Sequence, residues 1–247
     1  MGNLRQLSGL AGCRRPGLAG KGPRKGIRAA RTGVVLAAIA CLCVPIVDAT
    51  PLLADAATEV REWNFRVLLD DSEIGYHRFR LTDTGDERQL SSEASFDVRF
   101  LFVTAYRYRH MNRETWSGRC LERIETDTDA NGRELQITGE RESGRFIVEA
   151  GDSVRQLPEC VMSFAYWDPR FLGEQRLLNP QTGEYVDVEI QKIDEGELTV
   201  RGRQVAATQY RIVAKGVNVD VWYSDEREWV ALESEAKGGR KIRYELI

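Results

Sequence analysis

The C-terminal stretch, residues 217–247, alternates between apolar and polar side chains in three short runs separated by two polar turns. The apolar positions of the first run are Val217, Val219, Val221 and Tyr223, those of the second are Val230 and Leu232, and those of the third are Ile242, Tyr244 and Leu246. A period of two fits a strand with one buried face. The stretch therefore predicts a closing β-meander.

The same alternation begins near Glu62 and continues through most of the chain. Asn131-Gly132 between alternating runs is a strong hairpin signal, and Gly75 indicates a bulge or a close approach of two backbones. Residues 161–178 are the exception, because they predict a helix that Pro169 divides or begins. About a dozen strands at this spacing are typical of a sandwich or a barrel.

The first 56 residues are predicted to be an export leader. Eight basic residues precede an uncharged apolar run, residues 33–47, which is the order of a secretory signal. The run is shorter than the roughly twenty residues that span a bilayer, so no transmembrane helix is expected once it is removed. Ala54-Asp55-Ala56 fits a cleavage site, with residues 47–49 as an earlier alternative. Cleavage would leave one β-rich domain, residues 57–247, in the periplasm.

Two other interpretations of the leader stay open. The apolar run could remain uncleaved as an N-terminal anchor, because the basic stretch before it is long for a bacterial signal. Cys41 could instead be lipid-modified, since small residues precede it, although the usual leucine is missing.

The charge of the predicted mature chain argues against a nucleic-acid partner. The leader carries eight of the 35 Lys and Arg residues and two of the 38 Asp and Glu residues, which leaves 27 basic against 36 acidic residues, a formal charge near −9. Basic residues are dispersed along strands, as in Tyr106-Arg107-Tyr108-Arg109, and form no long cluster. Binding to a phosphate backbone depends on concentrated positive charge, so we do not expect it here.

Two of the five cysteines, Cys120 and Cys160, lie outside the leader. In an exported chain a disulfide between them is the simplest expectation. The alternative is a pair of buried free thiols.

No motif in the sequence identifies a catalytic, cofactor or metal site, so we predict a protein that is not an enzyme. Asp127–Gly132 matches the first half of a calcium loop, but Thr138 occupies the position of the bidentate carboxylate, which favours a plain hairpin turn. His77 and His110 have no ligand spacing, and a buried, hydrogen-bonded histidine is the simplest interpretation of His110.

The chain is rich in aromatic residues on one face of the predicted sheet. Ordinary core packing explains most of them, but a curved sheet could also leave a concave apolar cleft covered by residues 161–178. Such a cleft would bind a lipid or an acyl chain. The candidate ligand-binding residues are Phe100, Phe102, Tyr106, Tyr108, Phe164, Trp167, Trp222 and Trp229.

Several short motifs resemble a group of uncharacterised exported bacterial β-proteins, known as domains of unknown function. They are residues 163–169 and 177–184, the run Val221-Trp222-Tyr223-Ser224, residues 230–233 and the terminal Tyr244-Glu245-Leu246. The resemblance covers most of the chain after Glu62. It implies a mainly β fold, an antiparallel curved sheet forming an incomplete or flattened barrel with one short helical insert, distantly similar to the periplasmic half-barrels that carry lipoproteins.

The sequence leaves three functions to weigh. Binding of an apolar ligand without catalysis is the first. The second is a structural or assembly module of the cell envelope that binds a protein partner through exposed sheet edges. The third, a hydrolase acting on envelope glycans or lipids, has no residues that can be nominated for it.

Overall fold

The structure is a computed structural model that describes residues 58–100, 103–236 and 238–247. The predictions for the leader and for Phe102 lie outside the described residues, and so does the side chain of Phe100.

In the residues that the structure describes, fourteen strands form one antiparallel sheet, and nearly every strand pairs with its neighbours in sequence. The strands are β1 (Glu59–Leu69), β2 (Ser72–Asp83), β3 (Arg88–Phe100), β4 (Val103–Ser117), β5 (Cys120–Ala130), β6 (Arg133–Glu142), β7 (Arg145–Ala150), β8 (Ser153–Pro158), β9 (Arg176–Leu178), β10 (Tyr185–Val200), β11 (Arg203–Ala214), β12 (Val217–Ser224), β13 (Trp229–Ala236) and β14 (Arg240–Leu246). The predicted closing meander is β12–β14.

Pairing of β1 with β14 joins the two halves of the sheet, so that the order runs from β8 down to β1 and then from β14 down to β9. Strands far apart in this order share one hydrophobic core, to which β7 contributes Phe146 and Val148 and β11 contributes Ile212. A sheet of this width brings such side chains together only by curling. The end strands β8 and β9 do not pair with each other in the described residues, so the barrel is incomplete, as predicted.

Two predicted glycine features have clear geometric causes. Asn131 and Gly132 both adopt positive φ, 59° and 85°, between β5 and β6, which is the conformation that a tight hairpin turn requires. Gly75 has a φ of 152° and lies beside a register shift between β1 and β2. A Cβ atom at Gly75 would stand 1.9 Å from the carbonyl oxygen of Ser95, so both the bulge and the close approach are present.

The helical insert is shorter than predicted. It is a 3₁₀ helix, Pro169–Gly173, that begins at Pro169 and is capped by the side chain of Asp168. The preceding residues cannot be helical because their backbone is paired elsewhere. Met162 accepts a hydrogen bond from the amide of Leu178, and Phe164 donates to the carbonyl of Leu178.

The insert is fastened to the sheet by a buried ion pair and by a disulfide. Arg88 of β3 donates to Asp168 at 2.9 Å. Burial acts to raise the pKa of Asp168, but hydrogen bonds from Arg170 and Arg88 outweigh it and lower that pKa. Cys120 and Cys160 are bonded, with Cα atoms 4.8 Å apart, which confirms the predicted bridge.

Candidate functional site

An interior cleft separates the curled sheet from the insert and from the turn that follows β9. It has two adjoining lobes of about 270 and 290 Å³. Residues common to both lobes are His77, Phe79, Tyr166, Gln181, Val219 and Ser234. Because both lobes share these six side chains, the lobes are immediate neighbours.

The lobes differ in character. We call the first the polar lobe, since its distinctive lining includes Ser92, His110, Asn112, Glu114 and Asn179. The second is the aromatic lobe, which is lined by Phe96, Tyr106, Tyr108, Trp229, Leu232, Ile242 and Tyr244.

Strand β4 supplies side chains to both lobes because its inward face alternates strictly. Tyr108, His110, Asn112 and Glu114 occupy every second position and lie on the cleft. Between His110 and Glu114, Met111 and Arg113 point outward and are exposed. The pleat of one strand thus places a phenol, an imidazole, an amide and a carboxyl group along a single line.

Glu114 lies at the buried end of the polar lobe. Its carboxylate accepts hydrogen bonds from Asn112 Nδ2 at 3.1 Å, Trp116 Nε1 at 3.0 Å and Ser163 Oγ at 3.0 Å. Burial raises the pKa of Glu114, and these hydrogen bonds oppose the rise only in part. Ser163 belongs to the insert, so the carboxyl group also joins β4 to the insert.

Both histidines face the cleft as neutral groups. His110 is buried, and its Nδ1 lies 2.8 Å from Thr128 Oγ1 on β5. Burial lowers the pKa of His110 to about 4. Burial, followed by repulsion from His110, lowers the pKa of His77 well below its usual value. Neither ring supplies positive charge to the cleft near neutral pH.

The aromatic lobe is lined by aromatic rings from β3, β4, β13 and β14, and these rings pack against one another or against nearby core rings. Phe96 and Tyr108 stack with centroids 5.2 Å apart, and the ring of Tyr244 meets Phe96 edge-on at 6.2 Å. Trp229 packs against Phe65 at 4.4 Å. Burial raises the pKa of Tyr108 and of Tyr244, so both phenols stay neutral.

Acid should destabilise the fold through His110. The unfolded chain takes up a proton near pH 6.5 and the folded chain only near pH 4, so the unfolded state binds more protons between these values and stability falls as pH falls. Between pH 7 and pH 4.5 the expected loss is about 2.5 kcal/mol. Urea unfolding of the wild type and of His110→Gln at pH 7 and pH 4.5 measures it. The variant should lose less stability than the wild type, and an equal loss in both proteins would contradict the role given to His110.

The structure places the sequence-predicted ligand residues in different surroundings. Tyr108 and Trp229 line the aromatic lobe, and Tyr106 lies at its rim, 41% exposed. Phe164 and Trp167 line the polar lobe. Trp222 is half-buried on β12 and lies outside the lining of both lobes.

Sequence reasoning missed Asn112, Glu114 and Tyr244 as cleft residues. The run from Tyr108 to Trp116 held only a weak signal, because aromatic and polar side chains at even positions alternate with Arg109, Met111, Arg113 and Thr115 at odd positions. Both sets contain polar and less polar residues, so the alternation does not reveal which set is buried. For that reason the inward carboxyl and amide were not distinguished from a solvated face.

In the part of the chain that the structure describes, no three His, Cys, Asp or Glu side chains lie together in a way that could hold a metal ion. Over the same residues, no helix is both long and apolar enough to cross a membrane.

Fold and cleft together define an open, β-barrel-like protein with a two-lobed interior. A similar solved structure is that of a β-barrel-like protein of a domain of unknown function, DUF1849, from Brucella abortus. It shares 10% identity with this chain at a TM-score of 0.56, covering 78% of this chain and 98% of that one. At this identity the likeness shows the fold alone.

The family model of the domain of unknown function DUF6134 matches residues 65–247, and the chain belongs to this family. The match confirms the predicted resemblance to a family of uncharacterised β-proteins. A search of curated proteins found nothing that matches this chain.

Proposed function

We propose that the protein binds an apolar molecule, such as a lipid or an acyl chain, in the interior cleft without transforming it. The observation that supports this most is the aromatic lobe, a space of about 290 Å³ lined largely by rings and adjoining the polar lobe. Filled cores are packed without voids of this size. Each lobe is near the lower end of the range for small-molecule sites, so the two together suit a slender ligand.

Unpaired polar atoms also support a ligand. Asn112 Oδ1, Tyr108 OH and His77 Nε2 are buried and lack a hydrogen-bond partner within the protein. Each such group costs about 1–3 kcal/mol unless water or a ligand satisfies it. All three belong to residues that line the cleft.

Filling the cleft should weaken ligand binding. Ser234 lines both lobes and is small, so Ser234→Phe should weaken binding of the uncharged fluorescent probe N-phenyl-1-naphthylamine at least about tenfold, since lost burial of one ring is worth more than 1.4 kcal/mol. The measurement is a fluorescence titration of delipidated protein.

The matched control is Val154→Phe, which adds a ring at a position that is 65% exposed on β8. This variant should bind the probe as the wild type does. Equal binding by the wild type and both variants would place the probe outside the cleft and contradict the proposal.

We also propose that residues 1–56 direct export to the periplasm. The basic stretch and the apolar run support this, and the disulfide fits an oxidising compartment. N-terminal sequencing of the protein from a bacterial periplasmic fraction should find a chain that begins near Ala57. An unprocessed chain in the cytoplasm would refute the export proposal.

The protein-partner alternative receives less support from the sheet edge. Beyond Asp187, β10 has no strand on its outer side in the described residues. That edge carries Lys192, Asp194 and Glu195 next to a register shift, and charges with bulges are features that discourage added strands.

A further inference from the structure

We propose that the polar lobe selects ligands whose head group donates hydrogen bonds and carries no negative charge, such as an alcohol or an amide. This inference rests on the proposed binding function and names the ligand class. The polar lobe would hold the head group while the aromatic lobe holds the apolar part.

An unsatisfied acceptor in the polar lobe is the first reason. Asn112 is only 6% exposed, and its Oδ1 has no partner in the protein. Its Nδ2 is already committed to Glu114, so a donor from outside the protein is needed to satisfy the amide oxygen. An acceptor in this situation is satisfied by a donor and is left unsatisfied by an ether or an ester oxygen. Trp167 Nε1, which belongs to the same lining, is an unsatisfied donor, and the oxygen of an alcohol or an amide would accept a hydrogen bond from it.

Charge is the second reason. Neither lobe has a lysine or arginine in its lining, as far as the described residues show, whereas Glu114 and Glu235 both line the polar lobe. His110 remains neutral above acidic pH. A carboxylate or phosphate entering this end would lose its hydration without gaining a counter-ion and would approach Glu114, which disfavours binding of an anionic head group.

The hydrogen bonds around Glu114 hold its carboxyl group in place, so the lobe disfavours anionic head groups without any rearrangement. Trp116 is fully buried, and both it and Ser163 donate to the carboxylate. These donors hold the carboxyl group in one orientation. Because Trp116 and Ser163 already donate to Glu114, their donor groups are not free to stabilise an anionic head group.

Titration with three ligands of equal chain length tests the inference. We expect 1-decanol to bind delipidated protein about three- to tenfold more tightly than decyl methyl ether, which lacks the donor, and at least about tenfold more tightly than decanoate at pH 8, where the acid is ionised. Isothermal titration calorimetry below the solubility limit of the ligands measures the three affinities.

Two variants locate the effect. Asn112→Leu removes the free acceptor and should erase the difference between decanol and its ether. Glu114→Gln keeps the shape of the side chain and should narrow the difference between decanol and decanoate. Glu233→Gln makes the same change of charge on a residue outside both linings, and it should leave all three affinities as they are. Circular dichroism spectra confirm that each variant is folded.

The outcomes separate this inference from the function on which it rests. Equal binding of all three ligands, or tighter binding of decanoate, would overturn the selectivity and leave the cleft as a ligand site. Binding of none of the three, together with no binding of the naphthylamine probe, would overturn both.

Discussion

Replacing Cys120 and Cys160 together by alanine should lower the free energy of unfolding by about 4 kcal/mol. The disulfide closes a loop with a sequence separation of 40 residues, and the chain-entropy model assigns a cost of this size to opening such a loop in the unfolded state. The loop contains the four strands β5 to β8, which lose their covalent tie to the insert. Urea unfolding at pH 7 measures the loss.

Reduced wild-type protein is the internal control for this prediction. With a reducing agent present, the wild type should become about as stable as the double variant, because both then lack the covalent link. A double variant within 1 kcal/mol of the oxidised wild type would show that the bridge does little for stability.

Gly75→Ala should destabilise the fold by about 3 kcal/mol or more, or prevent folding. The added Cβ would lie 1.9 Å from the carbonyl oxygen of Ser95, and the φ of 152° is one that other residues rarely adopt. Relief requires β2 and β3 to separate where they pair, and backbone strain with overpacking typically costs this much. Thermal and urea unfolding of the purified variant measure the effect.

Gly196→Ala is the matched control. Gly196 lies within β10, has ordinary backbone angles, and a Cβ there would meet nothing within 4 Å. Its stability should stay within about 0.5 kcal/mol of the wild type, as is usual for surface substitutions. If the two alanine variants were equally stable, the close approach of β2 and β3 at Gly75 would be wrong.

Local patterns were enough to predict most of the strands. Each hairpin joins neighbours in sequence, so alternation and turn residues such as Asn131-Gly132 carried the information. The closing meander was predicted for the same reason and is present. The Cys120–Cys160 bridge, which is also present, was predicted from the number of cysteines in an exported chain. The extent of the helical insert was overestimated, because residues 162–164 pair with Leu178, a contact that no local pattern shows.

The cleft could be predicted only in part. Tyr108 and Trp229 are large aromatic residues on alternating strands, and they do line the aromatic lobe. Glu114 was not singled out because a carboxyl group on a strand is ordinarily solvated. It is buried here because the insert covers the end of β4 and supplies Ser163 as a donor.

The sequence by itself determined the period of the strands and the positions of the turns, because these depend on neighbours along the chain. Tertiary structure alone decided which face of each strand is enclosed. Curling of the sheet brings β2 to β4 opposite β12 and β13, so that His77 and Val219 line the same space. A period of two in the sequence separates the two faces of a strand without saying which one is buried. Only the curvature of the sheet and the insert determine that the face of β4 that runs from Tyr108 to Glu114 points inward.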